Sequence, residues 1–369
     1  MLRLFVSVSL AMILVACSDA ITPTVTRQLE AAVSTPNSTI PFLPGARVSV
    51  LTVLDGTIWD AVALNDLGEV VGWGNNGSGT SDQTFQWTAH YGLNVRGSGV
   101  YEDSNASMAV SVNNSAQVLF LAAYARMGIW DWQGNARFLR PLSSFNPGCT
   151  PWQINDAGVS VGGCTAGGLS LATVWTKSGT PSALFVNGGS TPVQVDIQYP
   201  LEISDSNYIA GPMTQTGFVF TPTKQLRVLS FPTISGFTVN EVRPLAVNNH
   251  GQAVGFASTL GGGNTCFRRA IAWLTPGVVT DLGFCGSATG ITDDATIFAT
   301  REDSATGAQW AVVRTNAGVV YRLPGLEGGA ALNEERSSVE AVNHVGKALG
   351  GIVTSASVSH TVIWTLPAL

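Results

Sequence analysis

A twelve-residue pattern, AVALNDLGEVVG at 61–72, returns six times along the chain. The later copies are AVSVNNSAQVLF (109–120), PWQINDAGVSVG (151–162), PLEISDSNYIAG (200–211), PLAVNNHGQAVG (244–255), ATGITDDATIFA (288–299) and VEAVNHVGKALG (339–350). Each is an aliphatic run, a polar pair, a spacer, usually Gly, and a second aliphatic run. An Asn or Asp at the start of a tight turn accepts hydrogen bonds from backbone N–H groups two residues on. The Gly supplies the positive φ that closes the hairpin. Asn65, Asp66 and Gly68, Asn155, Asp156 and Gly158, Asn248 and Gly251, and Asn343 and Gly346 are therefore read as structural turn residues, not chemistry.

Each copy continues with a Gly/Ser-rich variable loop and a third strand that usually holds an aromatic: Trp87, Trp132, Trp175, Phe220, Trp273 and Trp364, with Arg314 in the sixth. A turn and a fourth strand such as VVTDLG (278–283) follow. Four strands in roughly 40–50 residues is the period of a propeller blade. The expected fold is all-β, a seven-bladed β-propeller of four-stranded blades. The seventh copy carries only three strands, and RVSVLTVLDG (47–56) precedes the first like a stray fourth strand. Strand 47–54 is thus expected to join the last blade and close the ring, hiding sheet edges prone to aggregation. One domain, 45–369, results.

Composition agrees with many short strands joined by turns: charged residues are 11% and Gly numbers 41. A net charge of −6 offers no basic footprint, so nucleic acid is not an expected partner.

The N-terminus MLRLFVSVSLAMILVAC has one early positive charge, a short apolar stretch and a closing LVAC. That is a secretory signal over 1–16 ending in a bacterial lipobox, with Cys17 as the lipid attachment. Ser18 after it favours the outer membrane if the source is Gram-negative. Residues 17–44, rich in Ser, Thr, Pro and Ala, read as a lipid-anchored flexible tether. Membrane contact is expected through the lipid anchor only.

The pattern aliphatic-Asn-Asp/Asn-x-Gly, then Val-Gly, a loop and a Trp-containing strand, resembles the HAF repeats of exported bacterial proteins. The likeness covers nearly all of the mature chain. The second, fourth and sixth copies depart from it (Ala116; Ser204 with Asn207; Thr292 with Ala295). The resemblance implies an exported repeat protein and supplies no catalytic residues.

Four Cys remain beyond Cys17, an even number for an oxidising compartment. Pairing Ile154 with Val159 brings Cys149 opposite Cys164, and Cys266 and Cys285 flank the turn near Thr275–Gly277. Disulfides 149–164 and 266–285 are expected. Clustered Cys/His spacing for a metal is lacking, and no cofactor motif is present.

His90, His250 and His344 fall in turns and His360 begins a strand, so no catalytic triad can be assembled. The loops YEDSNAS and REDSATG hold Glu102, Asp103, Glu302 and Asp303, the carboxylates a carbohydrate hydrolase or lyase would use. Trp73, Tyr101 and Trp130 sit in or beside variable loops, where binding residues concentrate over a rigid scaffold. With Glu102, Asp103, Arg268, Arg301, Glu302 and Asp303 they make up the expected binding face. The functional expectation is a non-enzymatic, envelope-anchored propeller binding an envelope or extracellular protein or glycan. A carbohydrate-active hydrolase or lyase is the alternative.

Overall fold

The repeat's hairpins form because apolar β-branched runs flank a turn whose third residue after the Asn takes positive φ. That φ is +83° at Gly68, +76° at Gly158 and +80° at Gly346. Where Gly is replaced, Ala116, Asn207 and Ala295 take the same conformation. The computed structural model describes residues 40–51, 60–74, 83–96, 107–122, 126–142, 148–166, 168–196, 200–259, 266–304, 306–326 and 335–367.

An initial strand β1 (Arg47–Val50) precedes the first copy, which is β2 (Asp60–Leu64), β3 (Val70–Gly74), β4 (Gln83–Thr88) and β5 (Gly92–Arg96). The second is β6 (Ser107–Val112), β7 (Val118–Ala122), β8 (Arg126–Trp130) and β9 (Ala136–Phe138). The third is β10 (Cys149–Ile154), β11 (Ser160–Ala166), β12 (Leu169–Trp175) and β13 (Pro181–Ala183). The fourth is β14 (Glu202–Ile203), β15 (Ile209–Pro212), β16 (Gly217–Phe220) and β17 (Leu226–Val228). Then come β18 (Val239–Val247), β19 (Ala253–Thr259), β20 (Arg268–Thr275) and β21 (Val278–Ile291). The remainder is β22 (Ile297–Glu302), β23 (Gln309–Arg314), β24 (Val320–Arg322), β25 (Arg336–Val342), β26 (Lys347–Val353) and β27 (Ser359–Thr365).

The strands pair as antiparallel meanders, in five four-stranded sheets and one of seven strands, β18 to β24. The expectation of seven separate four-stranded sheets is corrected here. The 14-residue β21 pairs with β20 through its first half and β22 through its second, fusing two repeats. The strand preceding the first copy pairs with β27, Val48 opposite Trp364, and Leu51 N–H donates to the Thr361 carbonyl at 2.9 Å. Residues 52–54 of the expected closing strand lie outside the described residues. Nor does the folded part begin at 45: Phe42 bridges Arg322, and Leu43, placed by the sequence in the tether, is buried in the core.

The first strands of six copies share an irregularity at one equivalent place, and β18 has a second at Asn240. The register shifts at Val62, Val110, Trp152, Leu245, Thr289 and Glu340, each an extra residue between paired neighbours. Such bulges bend the strand and re-aim a side chain. They also correct the expected third-copy register. Ile154 pairs with Ser160, not Val159, and the Trp152 bulge restores Cys149 opposite Cys164. Both disulfides form as expected, 149–164 and 266–285.

Among the described residues, buried apolar side chains fall into seven clusters, each shared by successive copies. Val71 meets Ala109, Phe120 and Trp130; Leu51, Leu349 and Ile363 meet Leu64, Val70 and Phe85. The middle strands are buried on both faces, as in β16, where all four residues are enclosed, so they read as continuous apolar runs. The third-strand Trp fills the gap between sheets and satisfies its indole N–H on the preceding sheet's end. Trp175 Nε1 donates to the Arg140 carbonyl at 2.7 Å, Trp273 to Ser230 at 3.0 Å and Trp364 to Pro324 at 2.8 Å.

Candidate functional site at the central channel

The polar pair of each repeat was expected to turn its own hairpin only. Every Asn copy does so by a bond from four residues on: Asn65 Oδ1 accepts from Glu69 N–H at 2.9 Å and Asn343 Oδ1 from Lys347 N–H at 2.7 Å. Asn113 and Asn248 also take the expected bond from two residues on. The other half of each amide goes elsewhere. Asn65 Nδ2 donates to the Asn113 carbonyl, Asn113 to Asn155, Asn155 to Ser204, Asn248 to Thr292 and Asn343 back to Asn65, at 2.9–3.1 Å. The motif is thus a linker between repeats as much as a turn, which corrects the purely local reading.

The second residue of the pair forms a parallel belt. Asp66 N–H donates to Asn114 Oδ1, Asn114 N–H to Asp156 Oδ1, Asp156 N–H to Asp205 Oδ1, Asn249 N–H to Asp293 Oδ1 and His344 N–H to Asp66 Oδ1, at 2.7–3.0 Å. Deleting a member would take the side-chain acceptor from a backbone N–H of the neighbouring repeat, so belt and turn hold each other in place.

His344 was expected as a surface turn residue. It is half-buried, with Nδ1 3.3 Å from Asp205 Oδ2 and 3.7 Å from Asp66 Oδ2, and so joins the last, fourth and first copies. The Asp66 carboxylate, and behind it Asp205 and Asp293, raise the imidazole above its ordinary value despite burial. Burial pushes Asp66 up, but hydrogen bonds to His344 and Asn114 outweigh it and hold the carboxyl below the usual range. Asp205 moves the other way: burial raises it against the pull of the Asp156 amide and His344.

Inside this belt, the first strands of all seven copies line a cavity of about 270 Å³. The bulges aim Val62, Val110, Trp152, Leu245, Thr289 and Glu340 into its wall. Asp66, Asp156, Glu202, Asp205 and Glu340 line it, against His344 as the one basic side chain. Gln153 accepts the Ile203 N–H, and Ser338 Oγ donates to Glu340 at 2.9 Å. Glu202 has no such partner. It is partly buried in the cavity wall, and burial pushes its carboxyl up to about 8.

The structure does not gather the residues expected at a binding face. Cys17, Tyr101, Glu102 and Asp103 lie outside the described residues. Trp130 is not a loop residue: it pairs with Val118 at the third-strand position, is buried, and stacks on Phe120 at 3.7 Å. Trp132, expected there, stands in the following turn, 67% exposed. Two Trp flank Asp131, and alignment picked the wrong one. Trp73 ends β3 opposite Asp60 and Thr84, partly exposed. Arg301 pairs with Trp310 in the sheet, Glu302 with Gln309, and Asp303 Oδ1 accepts the Thr306 N–H within its own loop. Arg268 is exposed, its guanidinium 4.7 Å from the Phe256 ring centroid. Its neighbour Phe267, which the sequence reading missed, is 70% exposed beside the Cys266–Cys285 disulfide.

No protein-family model matches the chain, and no curated protein matches it in sequence. Among solved structures it is similar to prolyl oligopeptidase B from Galerina marginata, with TM-score 0.50, 10% identity, and coverage of 81% of this chain and 47% of that one. A gluconolactonase from Xanthomonas campestris gives 0.45 at 11%, covering 88% and 91%, and TolB from Acinetobacter baumannii 0.43 at 10%, covering 81% and 64%. At such identities likeness concerns fold alone. The chain is an all-β propeller protein.

Proposed function

We propose that this chain is an exported, lipid-anchored, seven-bladed propeller that serves as a binding scaffold for an envelope or extracellular protein or glycan. In this reading 1–16 is a lipoprotein signal, Cys17 carries the lipid, the segment from 17 to about 39 leads from the membrane, and the chain from about 40 onward is a single ring resembling the HAF-repeat proteins. The seven-stranded sheet counts as two blades sharing β21, and β1 supplies the outer strand of the last. The seven inter-repeat core clusters support that count.

The observation that carries binding is Phe267–Arg268. Phe267 stands in water on a backbone stapled by Cys266–Cys285, and Arg268 is pre-set over Phe256. An exposed aromatic beside an Arg on a rigid support is the composition of an interaction hot spot, because little side-chain freedom is lost on contact.

The test is capture from native envelopes by the full-length chain and by a Phe267→Ala/Arg268→Ala variant. At least tenfold weaker capture of the same partner is expected; equal capture overturns the face. Cys17→Ser is expected to free the chain from membranes. Polysaccharide turnover lost in Glu302→Gln/Asp303→Asn would replace this reading with a carbohydrate hydrolase or lyase.

A further inference from the structure

We propose that the central channel is a second binding site, distinct from the loop face, which takes a small organic ammonium between the Trp152 ring and the Glu202 carboxylate. The argument begins with charge. Among the described residues, five carboxylates and a single imidazole line a cavity of about 270 Å³, with no Lys or Arg in its wall. Such a low-dielectric, single-sign wall favours a cation.

The carboxylates are not equivalent. Asp66 is held by the Asn114 amide and the His344 N–H, Asp156 by Asn114 N–H and Nδ2, and Asp205 by the Asp156 N–H. These belong to the belt that joins the repeats. Glu340 takes the Ser338 hydroxyl. Among the described residues Glu202 is the one carboxylate of the wall that makes no hydrogen bond, and a charge so placed is costly without a partner. The repeat needs no acid there: the equivalent positions are Ala63, Ser111, Gln153, Ala246, Gly290 and Ala341. Turn geometry and inter-repeat bonding are complete without it.

Trp152 supplies the second half. It is the bulged residue of β10, aimed into the wall where other copies place Val, Leu, Thr or Glu. The Gln153 side chain accepts the Ile203 N–H, so β10 and β14 are joined where Trp152, which also packs on the cluster of Leu201 and Ile203, and Glu202 line one cavity. An aromatic face next to an unpaired carboxylate binds ammonium through cation–π attraction and ion pairing together. The volume exceeds that of a bare metal ion and fits an alkylammonium with its chain. Free diamines and the lysine side chain of a partner share this chemistry.

Binding is coupled to protons. An ammonium favours ionised Glu202, whose carboxyl stands at about 8 when empty, so affinity rises as pH climbs toward that value. Asp66, Asp156, Asp205, Glu340 and His344 face the same space, and loss of the His344 proton acts in the same direction.

The experiment is calorimetric titration of the full-length chain at pH 6, 7 and 9 with cadaverine, Nα-acetyl-lysine amide, calcium chloride and 1-pentanol. Saturable binding of an amine that tightens with pH, and no binding of pentanol, is expected. Cadaverine alone would point to a free amine, and binding of the lysine derivative as well to a partner's side chain; both support the site. Glu202→Gln and, independently, Trp152→Leu are each expected to weaken amine binding at least tenfold, with circular dichroism reporting that each variant is folded. Should either fail to fold, the other decides. Absence of amine binding, undiminished affinity in a folded variant, or binding of calcium alone overturns the proposal.

Discussion

Asn343 donates its side-chain amide to the main-chain carbonyl of Asn65, 3.0 Å away and 278 residues distant in sequence. The bond is the same as those between adjacent copies, yet it joins the last repeat to the first. Loop-closure cost for a contact so remote falls on the whole fold, which must be assembled before it can form.

Asn343→Ala removes this link and takes the side-chain acceptor from the Lys347 N–H, while the Asn65 carbonyl keeps only the Gly68 N–H of its own turn. A loss of about 2 kcal/mol in urea unfolding is expected, as for the loss of buried hydrogen bonds. Asn113→Ala, between neighbours, is expected to cost a similar amount. A silent Asn343→Ala would show that the end-to-end contact does not hold.

The His344–Asp66 pair makes stability depend on pH. A raised histidine contributes stability that is fully present below its unfolded value, near 6.5, and is lost as pH rises through its folded value. The depressed Asp66 contributes above its unfolded value, near 3.8, and loses that contribution as pH falls through its folded value. His344→Gln is therefore expected to lower Tm by several degrees at pH 5.5 and by less at pH 9. Equal losses at both would mean the imidazole acts through packing alone.

Gly255 occupies the second-strand position opposite the Leu245 bulge. A Cβ there would stand 1.8 Å from the Arg243 carbonyl oxygen, and Gly72, Gly162 and Gly350 meet the Asp60, Thr150 and Ser338 carbonyls at 1.9–2.1 Å. Gly255→Ala is expected to cost about 3 kcal/mol or to prevent folding, as overpacking against backbone does. Gly277→Ala, with nothing within 4 Å but φ +76°, should cost only about 1 kcal/mol. Comparable midpoints in guanidinium for the two variants would refute the close approach.

Cys149 and Cys164 face each other across β10 and β11, 15 positions apart in sequence. Cys149→Ser/Cys164→Ser is expected to lower stability by about 3 kcal/mol, the loop-closure value for a span of that length. Reduction of the unaltered chain should match it in direction. An unchanged melting curve would assign the bond no stabilising part.

Much of this was legible in the amino-acid order. The hairpins follow from apolar alternation and turn residues, both local, and the disulfides from spacing alone. The repeat period announced sheets of one kind in series, and β1 was legible as an outer strand because it had no sheet of its own. Trp130 and Trp132 show the limit: two residues of one type, two apart, exchange places unless the register is known.

What tertiary structure alone decided lies between repeats. Each Asn amide also donates to a carbonyl of another repeat, a partner far off in sequence, so sequence could say only that it turns the chain. The bulges that aim Trp152 and Glu340 inward depend on pairing with β11 and β26. In the sequence Glu202 is one of the small or polar residues that stand two before the turn. It became an unpaired acid in a shared cavity only when copies far apart in sequence were brought round one axis, because burial and charge are set by neighbours the chain does not adjoin.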